Sequence, residues 1–346
     1  MSKSALPAPH NNYHRRQCLR AAVACVAAAS PLLSRAQGSI TIRFSHIVAE
    51  QTPKGLAVSR FKELLEQRTN GRIRVVVYPD AQLYGDNDEV QALHLGAVEM
   101  LAPSLSKFGR MGFPEFELFD LPFWFDEVAN VRRVTQGPLG QQLMRRLDRQ
   151  QLMGLGFFDN GFKQMSANRP LLEPADFRGL RMRVQSSRVI AQQMRALGAQ
   201  PITLAFGEAR RALASGVVDG TENPLSNFWT QGMHEVQSDL SLTQHGYLGY
   251  AVVANQRFWH SMGAPDQSLV GQAMQEALAY GNAIADAQNE SALASLRLAG
   301  TTRIHTPTPE QRARLRKAVE PVHLELASRI GTPWLAAVRD ALDKRT

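Results

Sequence analysis

The chain has 346 residues, 39 Lys and Arg against 31 Asp and Glu, and two cysteines. That length suits about two ordinary domains, and 44% apolar with 20% charged residues excludes a disordered chain. Two cysteines exclude a disulfide framework and a four-thiolate zinc site. The formal charge of +8 invites a nucleic-acid partner until the charge is located along the chain.

Residues 1–36 carry Lys3, Arg15, Arg16, Arg20 and Arg35 and no acidic residue. Residues 21–33 are almost all Ala, Val, Leu and Cys, and Ser34-Arg35-Ala36 places small residues around a cleavage point. Basic start, short apolar stretch and small-residue exit predict an export signal cleaved after about Ala36. A buried N-terminal helix fits less well, because the alanine run has no polar face. Arg15-Arg16-Gln17-Cys18-Leu19-Arg20 resembles a twin-arginine export motif, with Cys at a position that is usually bulky and apolar. Cleavage would remove both Cys18 and Cys25, and the five basic residues with them. The remaining 34 basic residues nearly balance the 31 acidic ones, so the nucleic-acid reading fades.

Ile40 to Phe44 alternates apolar and polar residues, the period of a strand. Thr52-Pro53 reads as a helix cap and first helical residue, with an apolar stripe on Ala57, Phe61, Leu64 and Leu65 and a stop at Asn70-Gly71. Arg72 to Tyr78 is a second strand, residues 87–95 a short helix, and Ala97 to Ala102 a third strand. This rhythm predicts an α/β domain with a mainly parallel sheet. Phe113 to Phe125 holds six aromatics and reads as a buried irregular segment in preference to a ligand contact.

Residues 151–158 predict another strand, and Asp159-Asn160-Gly161 a turn that crosses between domains. Arg181 to Val184 is a strand followed by a helix capped by Ser186 or Ser187. Strands are also expected at 202–204, 217–218 before Asp219-Gly220, and 248–254, with a helix at 207–215. From Pro265 to Ala299 no proline intervenes, and a helix of that length spans about 50 Å. It would brace two lobes or kink near Gly281. Thr308-Pro309-Glu310-Gln311 is a capping box opening a helix to about Ile330, and Thr332-Pro333 opens the last helix.

Common catalytic signatures are missing. There is no phosphate loop, Gly154-Leu155-Gly156 lacks the third glycine of a dinucleotide fingerprint, and no Gly-x-Ser-x-Gly elbow occurs. His234-Glu235 has no second histidine at zincin spacing. No cofactor or metal is expected. Arg183 stands out instead. It lies at the carboxyl end of a strand just before a helix, where open α/β sheets bind ligands, and a guanidinium can grip a carboxylate through two parallel hydrogen bonds. A surface arginine in a salt bridge is the plainer reading. Asn223, held extended by Pro224, and Lys163, just past Gly161, could add polar and charged contacts.

Several runs carry a family resemblance. Phe44-Ser45-His46-Ile47-Val48-Ala49-Glu50, Val77-Tyr78-Pro79, Gln82-Leu83-Tyr84-Gly85 and Pro103-Ser104-Leu105-Ser106-Lys107-Phe108 come in order. Asp159-Asn160-Gly161-Phe162-Lys163-Gln164, Arg169-Pro170, Gly179 to Ser186 and Val217 to Pro224 follow. Over residues 40–345 the chain resembles the periplasmic solute-binding subunits of TRAP transporters, the DctP family, and its C4-dicarboxylate branch.

The resemblance implies a two-lobed α/β binding protein with a ligand cleft between the lobes, hinge strands and a long helix spanning both. Lobe I would comprise 37–160 and 249–288, and lobe II 161–248 and 289–346. The arginine that pairs with the substrate carboxylate falls on Arg183, the cleft asparagine on Asn223 and a second basic position on Lys163. Position within the matching runs adds His46 and Ser104. The implied protein is a monomer that binds a small carboxylate and delivers it to membrane permease subunits. A sensor module or an enzyme on the same scaffold, with His46 and His245 as its only candidate groups, is the alternative. Arg210 departs from the family, whose Glu-Val-Tyr phrase places tyrosine there.

Overall fold

The structure, a computed structural model, describes residues 38–343. The expected export signal and its cleavage point lie outside the described residues.

A nine-stranded mixed sheet organises the chain from Ile40 onward. Strand β1 (Ile40–Ser45) pairs in parallel with β2 (Ile73–Tyr78) and β3 (Met100–Leu101). A second parallel group comprises β5 (Arg181–Val184), β6 (Gln200–Thr203) and β7 (Gly220–Asn223). Two long antiparallel strands join the groups: β4 (Leu152–Ala167, 16 residues) and β8 (Asp239–Asn255, 17 residues). Each is about 50–55 Å long at strand rise. One end of β8 pairs with β3, one end of β4 pairs with β7, and β9 (Arg303–His305) lies parallel to β8.

This corrects two expectations. Apart from the short β8–β9 pair, the sheet is parallel only in its two outer groups, because the long strands between them return on each other. And Asp159-Asn160-Gly161 is not a turn: β4 runs straight through it with a register shift, a bulge in which Gly161 has φ +137°. Only glycine takes that backbone without strain. The extra residue uses up the turn chemistry without reversing the chain. The strand near Asp219 also starts later than expected, at Gly220, and β3 is only two residues long.

The helix caps agree with the sequence. Thr52 Oγ1 accepts from Gly55 N at 3.2 Å ahead of α1 (Pro53–Arg68), and α2 (Glu89–Leu95) ends on left-handed Gly96. Ser187 caps α3 (Arg188–Ala196) through Ile190 N. The Thr308 and Gln311 side chains cap each other's backbone N–H at the start of α5 (Pro309–Ile330), which precedes α6 (Thr332–Asp343).

The long helix α4 (Ala264–Ala299, 36 residues) continues through Gly281. A Cβ at Gly281 would lie 2.7 Å from Ala57 Cβ, so glycine there lets α1 approach closely. The first half of α4 gives Val270, Met274 and Leu278 to a core with Ile42, Phe44, Phe61 and Val75. Its last turns give Ala292 and Leu296 to a different core, with Phe206, Leu213, Phe228 and Leu240. Each such large apolar side chain contributes about 1.5–3 kcal/mol on burial, so one helix is tied to both ends of the sheet. Between these anchors, Asn282 and Asn289 share a face. Asn282 Oδ1 accepts from Asp159 N (2.8 Å), and Asn289 Nδ2 donates to Asn160 O (2.6 Å), clamping the bulge of β4. The aromatic segment is a buried 3-10 helix at Pro114–Asp120 and its flanks.

Candidate functional site

Both parallel groups point their carboxyl ends at one small cavity, as open α/β sheets do where they hold ligands. From one side come Ile47 and Val48 after β1, Asp86 after β2 and Ser104 after β3. From the other come Arg183 and Gln185 at the end of β5, Phe206 after β6, and Glu222 and Asn223 at the end of β7. The long strands contribute Lys163, Leu248 and Tyr250 to the floor. None of the aromatics of Phe113–Phe125 lines it.

Arg183 is 3% exposed. Its Nε and Nη2 both donate to Leu204 O, at 3.0 and 2.8 Å, and the guanidinium carbon lies 5.7 Å from the Phe206 ring centre. No carboxylate among the described residues forms an ion pair with it. Burial pushes its pKa down, opposed by the charges of Asp86, Glu222 and Glu208. The carbonyl of Leu204 fixes the plane of the fork, while Nη1 makes no hydrogen bond among the described residues. The result is a desolvated cation, already oriented, whose natural complement is an anion.

Lys163 is as deeply buried but differently placed. Its ammonium lies 3.1 Å from Glu222 Oε2 and 3.8 Å from Asp120 Oδ1. Asp120 in turn accepts from Ser106 Oγ (2.6 Å) and Ser187 Oγ (2.7 Å). Burial raises the pKa of Asp120 against the opposing pull of Lys163. Glu222 is held below the usual carboxylate range: burial pushes it up, but Lys163 and His245 outweigh that.

Asn223 Nδ2 makes only long contacts, 3.4 Å to Thr221 Oγ1 and 3.5 Å to Met233 Sδ, so its carboxamide is weakly held at the cavity wall. Ser104 Oγ donates to Gln185 Oε1 at 2.9 Å, bridging the ends of β3 and β5. The structure thus brings Arg183, Lys163, Asn223 and Ser104 to one cavity. It does not bring His46 there. That ring is fully buried behind Ile47, neither nitrogen has a hydrogen-bond partner, and burial with the nearby Lys54 charge pushes its pKa down to about 3. Its backbone, not its side chain, follows the strand end that the sequence pattern marks.

Asp86, Glu222, Phe206 and Tyr250 are among the lining residues that sequence reasoning missed. Asp86 Oδ2 accepts from Phe206 N at 2.5 Å, and its other oxygen pairs with Lys107 Nζ at 2.5 Å. It follows the quoted Gln82-Leu83-Tyr84-Gly85 run directly, and Glu222 precedes Asn223, so motif adjacency could have found both. Nothing local marks Tyr250, whose hydroxyl accepts from Asn160 Nδ2 at 2.9 Å and whose ring carries Lys54 Nζ at 3.7 Å. Lys54 also donates to Ala102 O (3.0 Å), and burial brings its pKa down to about 7. Arg210 is outside the cavity, on the surface, paired with Glu235 and donating to Gly232 O. Among the described residues no group of His, Cys, Asp and Glu could hold a metal ion, and no helix is long and apolar enough to cross a membrane.

A cavity closed by two parallel strand groups, joined by two strands and strapped by one helix, is the architecture of a solute-binding protein. A family profile described as bacterial extracellular solute-binding protein, family 7 (DctP), matches residues 44–329. The chain is 51% identical over 302 residues to the C4-dicarboxylate-binding periplasmic protein DctP of Rhodobacter capsulatus, covering 87% of this chain and 91% of that one. Among solved structures, it is similar to a TRAP periplasmic solute-binding protein from Shewanella oneidensis with bound succinate. There the TM-score is 0.86 at 38% identity, over 88% of this chain and 100% of that one. It is also similar to one from Pseudomonas aeruginosa with bound L-malate (TM-score 0.80, 35% identity, 83% and 99% coverage). The chain belongs to the DctP family of TRAP solute-binding proteins, two-lobed periplasmic receptors that bind small carboxylates and work with membrane permease subunits.

Proposed function

We propose that this protein captures a C4-dicarboxylate of the succinate or malate kind by lobe closure and delivers it to its permease. The lobes would be 37–160 with 249–288, and 161–248 with 289–346, hinged where β4 and β8 pass the bulge at Gly161. The protein would act as a monomer after export and cleavage near Ala36. The observation that carries this reading is Arg183, a buried, pre-oriented guanidinium at the end of β5 with no carboxylate partner among the described residues. It would clamp one ligand carboxylate, Asn223 and Ser104 would hydrogen-bond the ligand's polar atoms, and Lys163 would face the second carboxylate. Three or four charge-assisted hydrogen bonds of roughly 1.5–3 kcal/mol each, less ordering costs, match micromolar binding near −8 kcal/mol.

Calorimetry with succinate, malate and fumarate, alongside a panel of other organic acids, tests the reading. Binding of a C4-dicarboxylate at about micromolar Kd supports it, and failure of every C4 acid below about 1 mM overturns it. Arg183→Lys should weaken binding at least about tenfold, because a point charge does not replace a planar fork. Unchanged affinity would remove Arg183 from the ligand.

A further inference from the structure

Behind the cavity, one carboxylate oxygen is contested by two bases. Glu222 Oε2 lies 3.1 Å from Lys163 Nζ and 3.5 Å from His245 Nε2. Neither Glu222 Oε2 nor His245 Nε2 has a hydrogen bond of good geometry, although both residues are 2% exposed. Buried polar atoms are seldom left so, and an orphaned pair facing each other marks a place for a proton. The other ring nitrogen, Nδ1, is 2.7 Å from Thr243 Oγ1. A hydroxyl can donate to a bare nitrogen or accept from a protonated one. The ring can therefore gain a proton without losing that bond.

The charges around this ring come from every packed element. Lys163 on β4 and Arg312 on α5 are positive, while Glu222 on β7 and Asp120 on the 3-10 helix are carboxylates. Burial first, and then Lys163 and Arg312, hold the His245 pKa below its ordinary value against the pull of Glu222, so the ring is neutral in the empty receptor at neutral pH. Lys163 is already shared by two carboxylates. Among the described residues that line the cavity, a ligand with two negative charges meets only one cation without an acid partner, Arg183, and would leave a surplus of buried negative charge. A surplus of that kind, in a dry site, is relieved by protonation.

We propose that His245 and Glu222 are positioning residues for Lys163: on ligand binding His245 takes up a proton at Nε2, the imidazolium pairs with Glu222, and the released Lys163 ammonium turns to the ligand's second carboxylate. The proton comes from solvent, no covalent bond other than the new N–H forms, and the dianion is matched by Arg183 and Lys163 together. The inference rests on the dicarboxylate reading above. It adds a requirement that the lysine be freed, which a fixed pair of cations would not have.

The test is calorimetric titration of the purified protein with succinate at pH 7.5, where the acid is a dianion, in phosphate and in Tris. Their different ionisation heats give the protons exchanged. Wild-type protein should take up close to about one proton per succinate, and its affinity should fall with rising pH, approaching about tenfold per unit. His245→Gln should take up almost none, bind at least about tenfold more weakly at pH 7, and lose the pH dependence. Asp120→Asn should retain the uptake. In wild-type protein with carbon-13-labelled histidine, succinate should move the His245 ring resonance to the imidazolium position, a reading that does not depend on any variant folding. Succinate binding without proton uptake, or with uptake that survives His245→Gln, overturns the positioning role and leaves the receptor reading intact. Absence of binding by any C4-dicarboxylate overturns both.

Discussion

The two cations of the cavity are equally buried and oppositely supported. Arg183 rests on a neutral carbonyl, Leu204 O, and meets no carboxylate within the described residues. Lys163 sits between Glu222 and Asp120. A charge held on a dipole keeps its field available to an incoming anion, whereas a charge held by carboxylates is spent within the fold. The difference separates two duties that the sequence alone would assign alike: on the reading proposed above, Arg183 would serve the ligand at the expense of stability, while Lys163 first serves the protein.

That contrast is broken most readily by truncation. Lys163→Met removes the one lysine or arginine that pairs with Glu222 and Asp120 among the described residues, leaving two buried carboxylates without it, and should cost about 3–5 kcal/mol of folding stability. Arg183→Met removes a desolvated charge that pairs with no acid among the described residues. It should leave stability within about 1 kcal/mol of wild type while abolishing tight binding. Urea denaturation of both variants decides the matter. Equal losses would mean that Arg183 is as structural as Lys163.

His46 sharpens the comparison, because it is a buried base with neither support. Its pKa is about 3 in the fold against 6.5 for the free ring. The unfolded chain therefore binds a proton between those values and the folded chain does not, so stability falls as pH drops from 6.5 toward 3. At pH 5 this amounts to about 2 kcal/mol. Urea midpoints at pH 7 and pH 5 should draw closer in His46→Leu by that amount. If the acid sensitivity is unchanged, His46 is not its source.

How much of this was legible depended on the reach of each interaction. The caps at Thr52 and Thr308 were readable because donor and acceptor lie three residues apart. The long helix was readable because nothing interrupts it. The place of Arg183 at the end of a strand was readable, but its burial at a cavity was not readable from that position alone. The bulge at Asp159-Asn160-Gly161 was not. Turn residues announce a turn locally, but the Asn160 amide is taken by Asn227 Oδ1 and Tyr250 Oη, and its side-chain oxygen by Ser226 Oγ. Those partners are 66–90 residues away. For the same reason Lys163 read as a free charge: its neutralising carboxylate is 59 residues distant along the chain. His46 failed in the opposite sense, since a run that matches a binding strand marks the backbone's place and not the direction of each side chain.

Arg210 gives the smallest expected effect and sets the outer limit of the contrast. It stands where the family phrase places tyrosine. In the structure the neighbouring Phe206 lines the cavity, while Arg210 points away to Glu235 and the Gly232 carbonyl at the surface. An exposed pair of this kind is screened by water and salt, and its field does not reach a ligand enclosed beside Phe206. Arg210→Tyr should therefore leave succinate affinity within about twofold of wild type and leave its salt dependence unchanged. A larger change would mean that the surface next to Phe206 moves with the cleft, and that cations outside the cavity share the duty assigned to Arg183.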